Sequence, residues 1–381
     1  MMEFNIKQIQ ETNAFACLEC GKCTGVCPVA RHSKTFSPRS ILIKSIRNSH
    51  PDALKGSDLW SCLTCQQCDI ICPSHIRYID FMQLIRQFVG VTNQDATCSH
   101  GGIVDSILKI MTTPNLQQQR MDWITKDYQT TASGDYLYFV GCLPYYDVLF
   151  SSLEVHPLNI ARSTIKILNY LDIQPQVLPN EKCCGHDFYW NGDLKNFKIL
   201  AEQNLEQIRN SGAKQVITAC PECYRTLKVE YAKFFGKTGF EVQHISEFLA
   251  VRLKDKHIPL KTEKLSACYH DPCRLGRHLG IYDAPRGVLS KLSGLTLNEM
   301  AHHHQRAICC GVTGWMNCSQ ISKQIQTHRL REAQATGSDI LITSCPKCQI
   351  HFQCALLDKQ LKEEIHFTIK DLVEVVAENL N

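Results

Sequence analysis

Residues 211–223 read Ser211-Gly-Ala-Lys-Gln-Val-Ile-Thr-Ala-Cys220-Pro-Glu-Cys223. The run Val216-Ile217-Thr218 is a short strand former. It follows a glycine suited to ending a helix, Gly212, and runs straight into Cys-Pro-x-Cys, whose proline suits the first turn of a further helix. The pattern is written twice. Thr336-Gly-Ser-Asp-Ile-Leu-Ile-Thr-Ser-Cys345-Pro-Lys-Cys348 repeats it, and upstream each copy carries a lone cysteine, Cys142 or Cys273, and a Cys-Cys-Gly, Cys183-Cys184-Gly185 or Cys309-Cys310-Gly311. Further on, His244-Ile-Ser-Glu-Phe-Leu resembles Thr368-Ile-Lys-Asp-Leu-Val. Strands alternating with helices predict a duplicated α/β unit with a mostly parallel sheet, its cysteines at the carboxyl ends of strands where such sheets bind ligands.

Working towards the start of the chain, two further runs share another spacing: Cys17-Leu-Glu-Cys20-Gly-Lys-Cys23-Thr-Gly-Val-Cys27-Pro28 and Cys62-Leu-Thr-Cys65-Gln-Gln-Cys68-Asp-Ile-Ile-Cys72-Pro73. Both are C-x2-C-x2-C-x3-C-P, the bacterial ferredoxin run in which three thiolates hold three corners of a [4Fe–4S] cube and the other run supplies the fourth. The expected ligand sets are therefore Cys17, Cys20, Cys23 and Cys72 for one cluster, and Cys62, Cys65, Cys68 and Cys27 for the other. Zinc sites use two pairs of ligands, not two runs of four with a following proline. Between the runs, Ser37 fits an N-cap and Pro38 a first helical position, and after the second run Ile79, Met82, Leu84, Ile85 and Phe88 predict an apolar helix face.

The 381 residues include 22 cysteines, far above ordinary usage, in a chain too long for a disulfide-stapled scaffold. A net charge of +4 is too small to imply nucleic acid as a partner. No apolar run is long enough for a transmembrane segment, and MMEFNIKQIQE lacks a secretory pattern. The expected location is cytoplasmic, or peripheral on the cytoplasmic face of the membrane, where thiols stay reduced and clustered cysteines bind metal.

Each repeat offers five cysteines, one more than a cubane needs and two of them adjacent, so a site using all five calls for an unusual cluster. An adjacent disulfide, or zinc with a spare thiol, does not explain why the full set occurs twice. The paired C-x(n)-CCG-x(n)-C-P-x-C pattern resembles the catalytic B subunit of heterodisulfide reductase, the ferredoxin stretch resembles its C subunit, and their fusion is similar to the D subunit of that enzyme family. The resemblance spans about residue 10 to 381, with a less informative stretch near 91–135. Both five-cysteine motifs are complete, whereas the iron–sulfur subunits of glycolate, lactate and glycerol-3-phosphate dehydrogenases often carry degenerate ones.

The fold expected is α+β overall: a helical 2[4Fe–4S] ferredoxin domain over 1–95, a linker or helical segment over 96–134, and two repeated α/β CCG domains with mostly parallel sheets over 135–260 and 261–381. The resemblance implies two non-cubane [4Fe–4S] clusters. One is held by Cys142, Cys183, Cys184, Cys220 and Cys223, the other by Cys273, Cys309, Cys310, Cys345 and Cys348, and a small disulfide is cleaved or formed between them. With no flavin or nicotinamide fingerprint present, electrons must come through a flavoprotein donor subunit, a membrane cytochrome b subunit, or both. An alternative function is a non-catalytic electron relay linking a flavoprotein dehydrogenase or electron-transfer flavoprotein to a membrane quinone or cytochrome b partner.

Cys98, Cys268, Cys318 and Cys354 share no spacing and receive no role. His186 and the His270-Asp271 pair lie beside cysteine motifs and are candidates for proton transfer or for a hydrogen bond to cluster sulfur. Arg274, Arg277 and His278 suit either an anionic substrate or a solvated helix start. His302-His303-His304 is expected to be a solvated loop.

Overall fold

The computed structural model describes residues 6–47, 59–90, 98–261, 264–316 and 318–380, which fall into two compact units. The boundary expected between residues 95 and 96 lies outside the described residues. The first unit gathers residues of 1–112 with two later stretches, 185–198 and 308–328. Both ferredoxin runs fold alike within it. Glu19 and Thr64, two residues after the first cysteine of each run, take left-handed φ values of 51° and 43°. Each thereby turns its amide onto the preceding sulfur, Cys17 or Cys62, at 3.4 Å. Short helices Lys22–Val26 and Gln67–Ile71 follow, each entered through a left-handed residue, Gly21 or Gln66, and each ending at the last cysteine of its run.

The helix Pro38–Arg47 begins at its predicted cap, where the Ser40 amide donates to Ser37 Oγ at 3.2 Å. The helix Tyr78–Val89 buries Ile79, Met82 and Ile85 as expected, but Leu84 and Phe88 are only half-buried, and Phe81 and Arg86 take deeper positions. Arg86 is 1% exposed. Its guanidinium donates to the carbonyls of Leu59 at 2.9 Å, Cys62 at 2.7 Å and Trp190 at 3.0 Å, and it lies over the Trp60 ring. It thus ties the second cysteine run to the stretch that follows the first Cys-Cys-Gly. That stretch approaches backbone to backbone: a Cβ on Gly192, whose φ is +85°, would stand 2.5 Å from the carbonyl carbon of Arg86. The stretch after the second Cys-Cys-Gly is anchored similarly, Thr313 Oγ1 donating to the Leu63 carbonyl at 2.8 Å.

The second unit, 113–184, 199–307 and 329–381, contains the strands. These are β1 (Tyr136–Tyr138), β2 (Gln215–Thr218), β3 (Glu241–His244), β4 (Ile258–Pro259), β5 (Leu265–His270), β6 (Leu292–Ser293), β7 (Leu295–Leu297), β8 (Ile340–Thr343) and β9 (Thr368–Asp371). They form sheets ordered β1-β2-β3, β4-β6 and β7-β5-β8-β9, and every pairing is parallel. The order β1-β2-β3 matches β5-β8-β9. In the first repeat the place of β7 is taken by a single parallel bridge from Leu137 to Gln176.

Register corrects one detail of the sequence alignment. Thr218 pairs with His244 and Thr343 with Asp371, so His244 is the counterpart of Asp371, not of Thr368. Both sit at a strand end and cap the next helix, His244 accepting from the Ser246 amide and Asp371 from the Val373 amide.

The repeats pack reciprocally. Helix Leu158–Tyr170 of the first lies on Leu372–Glu378 of the second, while Ile245–Arg252 of the first lies on Asp283–Leu289 of the second. Since each pair joins matching helices in the opposite sense, an approximate two-fold axis relates the repeats. The core is accordingly continuous, with Tyr138, Ile217, Ile165 and Leu249 sharing a cluster with Tyr269, Ile342, Leu289 and Val376.

Replacing Arg86 by Met leaves three buried carbonyls without their donor and is expected to lower stability by about 3 kcal/mol or more, given the cost of unmade charge-assisted hydrogen bonds. Denaturant unfolding of the variant measures this, and a loss below about 1 kcal/mol would mean that Arg86 is dispensable to the first unit.

Candidate metal centres

In the first unit the cysteines of the two runs interleave. Cys27 lies in the field of Cys65 and Cys62, and Cys68 in that of Cys62, Cys65 and Cys27. Cys17, Cys20, Cys23 and Cys72 line one cavity together with Cys68, walled on its apolar side by Pro38, Leu42, Ile76 and Tyr78. Burial pushes the Cys27 and Cys68 thiols well up and Cys62 up to about 11. Thiolates in such a place need a cationic partner, and an iron core supplies one. The amide-to-sulfur bonds from Glu19 and Thr64 suit ligand sulfurs carrying charge, so the donor set fits two [4Fe–4S] clusters.

In the second unit all five cysteines of the first repeat come together. The Cys184 thiol is drawn down to about 7 by hydrogen bonds with Cys183 and Cys223, against burial and the nearby Cys142 and Cys220. Cys223 is pushed up by its hydrogen bonds to Cys184 and Cys220 and by burial. Gly141 lets Cys223 in: a Cβ there would stand 3.0 Å from its sulfur. Five sulfurs exceed what a cubane takes, and the set fits a cluster with additional thiolate ligands.

Residues outside any motif hold this site. The Glu181 carboxylate accepts from the amides of Val140 at 3.1 Å and Gly141 at 2.6 Å, just before Cys142, and pairs with buried Arg120 at 2.7 Å. Burial raises its pKa to about 7 although Arg120 and the two amides pull it down. Asn204 Nδ2 donates to the Cys183 carbonyl at 3.0 Å, and Tyr231 Oη donates to the Cys184 carbonyl at 3.1 Å. Sequence reasoning missed Glu181, Arg120, Asn204 and Tyr231. The second repeat has Ala307 in the place of Glu181, so the repeat comparison held no signal for it.

In the second repeat, β5 and β8 pair up to His270 opposite Thr343, which puts Cys273 and Cys345 past the same end of the sheet. Cys348 follows on helix Pro346–Ala355, capped by Cys345. Cys309 and Cys310 are buried and belong to the stretch 308–328 of the first unit. The glycines of both Cys-Cys-Gly motifs are left-handed and crowded. A Cβ on Gly185 would meet the Phe197 ring at 2.9 Å, and one on Gly311 the Ser322 carbonyl oxygen at 2.9 Å.

The other polar candidates are buried or half-buried. His186 is buried, its Nδ1 2.9 Å from Asp187 Oδ1. His270 Nδ1 accepts from Arg329 Nε at 3.1 Å, and burial, Arg329 and Arg277 hold its pKa far below the usual range. Arg274 and Arg277 are buried, not a solvated helix start; Arg277 donates to the Ala307 carbonyl and Arg274 contacts His278. The three histidines are half-buried: His302 pairs with Glu332, and His303 contacts His304. Glu299 lies near the last two, but its carboxylate is already held by both ends of the Arg286 guanidinium. Cys98 contacts Met316, and Cys268 is buried in β5.

Comparison with known proteins agrees with this architecture. A family model described as a 4Fe-4S dicluster domain matches residues 13–76, and one described as a cysteine-rich domain, CCG, matches 136–228 and 267–353. The D subunit of the dihydromethanophenazine:CoB–CoM heterodisulfide reductase of Methanosarcina mazei is 29% identical over 99% of this chain and 96% of its own. The chain is similar to the heterodisulfide reductase D subunits along nearly its whole length. It unites the dicluster ferredoxin domain with two CCG domains and is an iron–sulfur protein of the electron-transferring oxidoreductase class. The EtfAB:quinone oxidoreductase of Syntrophomonas wolfei is 24% identical over 87% of this chain and 54% of its own. The B subunit of the fumarate reductase (CoM/CoB) of Methanothermobacter marburgensis is 26% identical over 94% and 71%. Among solved structures, an aspartate racemase homologue from Pyrococcus horikoshii aligns with 64% of this chain and 96% of its own at 9% identity and a TM-score of 0.28, too slight a likeness to bear on function. Among the described residues, no helix is long and apolar enough to cross a membrane.

Gly185→Ala and Gly311→Ala are expected to cost about 2–3 kcal/mol each from left-handed strain and collision, and to lower bound iron. Gly212→Ala, left-handed but with open space around it, should cost only about 1 kcal/mol and leave iron unchanged. Thermal midpoints and iron content check the contrast; equal effects at all three sites would refute it.

Proposed function

We propose that the chain is the iron–sulfur subunit of a disulfide reductase of the heterodisulfide reductase type, able to run in either direction. The observation that carries this reading is the presence of two complete five-cysteine sets, one of which has all five thiols gathered at a single place. Cys17, Cys20, Cys23 and Cys72 hold one cubane [4Fe–4S] cluster, and Cys62, Cys65, Cys68 and Cys27 the other. Cys142, Cys183, Cys184, Cys220 and Cys223 hold one non-cubane cluster, and Cys273, Cys309, Cys310, Cys345 and Cys348 its counterpart, within CCG domains over 135–260 and 261–381. When bound, the ferredoxin clusters deliver electrons singly and the paired non-cubane clusters supply the two electrons that a disulfide takes up, with two protons, to become two thiols.

The chain's own residues fix the ligand turns. Arg120 and Glu181 hold the approach to Cys142 and the backbone before Cys183, while Asn204 and Tyr231 hold the Cys-Cys pair by its carbonyls. His270 and buried Arg274 and Arg277 provide hydrogen-bonding and positive charge near Cys273, suited to an anionic thiol product. Electrons reach the chain from a flavoprotein subunit or a membrane cytochrome b subunit, with the protein in the cytoplasm or on the cytoplasmic membrane face. The relative named EtfAB:quinone oxidoreductase favours a second reading, a relay from an electron-transfer flavoprotein towards quinone without disulfide chemistry.

With reduced viologen as donor, the protein should reduce at least one of a panel of low-molecular-weight disulfides. Cys184→Ala and Cys310→Ala should abolish this while the paramagnetic signal of the reduced ferredoxin clusters persists. Unimpaired flavoprotein-to-quinone electron transfer in both variants, with no disulfide reduction by the unaltered protein, would instead establish the relay.

A further inference from the structure

Matching residues of a two-fold repeat touch each other only where they lie at the axis. Glu222 and Lys347 are the variable residues of the two Cys-Pro-x-Cys motifs, and they meet: Lys347 Nζ stands 2.7 Å from Glu222 Oε2. Their side chains are 10% and 4% exposed. Two like charges at this place would repel across a short, poorly screened distance. The sequence therefore breaks its own repeat at the one residue pair between the cysteines, and breaks it with opposite charges.

The lysine is not explained by its own helix. It lies in the first turn of Pro346–Ala355, where a positive charge opposes the helix dipole, whereas Glu222 lies in the first turn of Pro221–Arg225, where a negative charge is favoured. A second buried carboxylate of the first repeat faces cations too. Helix Pro221–Arg225 continues through a π turn, Thr226–Glu230, absent from the matching helix, and this places Glu230 3.1 Å from Arg225. Burial pushes the Glu230 carboxyl up, and Arg225 and then Arg274 of the second repeat oppose that push.

We propose that Glu222 and Lys347 are a positioning pair at the repeat axis, which fixes the two Cys-Pro-x-Cys turns against each other and makes the two five-cysteine sites electrically unequal. The turn of Cys220 and Cys223 carries the anion, and the turn of Cys345 and Cys348 the cation. The inference rests on the reading that these cysteines hold clusters. A cation stabilises the reduced form of a nearby cluster and an anion disfavours it, so the site of the second repeat accepts an electron first.

The test uses the full iron-loaded chain as Lys347→Met, Glu222→Gln and the exchanged double variant E222K/K347E, with viologen-driven disulfide reduction and redox titration of the thiol-dependent paramagnetic signal, the one that an oxidised five-cysteine cluster is expected to give once a thiol is bound. Lys347→Met should move the midpoint down and Glu222→Gln should move it up. Each should slow reduction by about tenfold or more, and the exchanged pair should recover to within about threefold, as expected of directly coupled residues. Shifts in the same direction, or an exchanged pair no better than the single variants, would overturn the proposal. Should a single variant fail to fold, a folded and active exchanged pair still supports it and an unfolded one overturns it. Absence of the thiol-dependent signal from the unaltered protein marks failure of the underlying cluster reading, a different outcome from a normal signal insensitive to these substitutions.

Discussion

The parallel register of the two repeat sheets is the constraint on which the rest of the second unit depends. Thr218 opposite His244 and Thr343 opposite Asp371 bring strand ends level, so that Cys220 and Cys345 leave the sheet at the same relative point in both repeats. A slip of one residue would turn Ile217 and Ile342 out of the core they share and carry each cysteine to the other face. Strands this short hold register through what lies on either side of them. Fully buried Val216, Ile217, Leu341 and Ile342 fix the faces, and the caps at His244 and Asp371 fix the ends.

The first unit solves a different problem: placing eight thiols, from buried Cys62 and Cys65 to exposed Cys20, on very little regular structure. It does so with left-handed turns at Glu19 and Thr64, which aim amides at sulfur, and with one buried guanidinium. Arg86 satisfies three carbonyls that a loop-rich segment would otherwise bury unpaired, a cost of about 1–3 kcal/mol for each such group. Because one of those carbonyls belongs to Trp190 and another to Cys62, the same side chain joins a ferredoxin run to the stretch downstream of Cys184.

Much of this was legible in the sequence because the cysteine motifs are declared locally. C-x2-C-x2-C-x3-C-P and Cys-Pro-x-Cys each state their geometry within a few residues, and the repeat states that the α/β unit occurs twice. The helix at Pro38 and the strands before Cys220 and Cys345 were readable from cap and turn chemistry alone. Arg86 was not: a charged residue on an amphipathic helix reads as solvated until the segment it serves is known. Glu181 and Arg120 act through backbone groups distant in sequence and have no echo in the second repeat. The alignment of His244 with Thr368 followed residue likeness, whereas the strands align His244 with Asp371, since a cap is a role that histidine and aspartate both fill. Glu222 and Lys347 differ in kind again, as their meaning lies in the axis between the repeats.

The central claim is that the ten cysteines of the repeats bind iron just as the eight of the ferredoxin runs do. Iron and acid-labile sulfide per chain, measured on protein purified without oxygen, test it most directly. Four [4Fe–4S] clusters predict about 16 iron atoms, whereas about eight, with the repeat cysteines free to alkylation, would contradict the account.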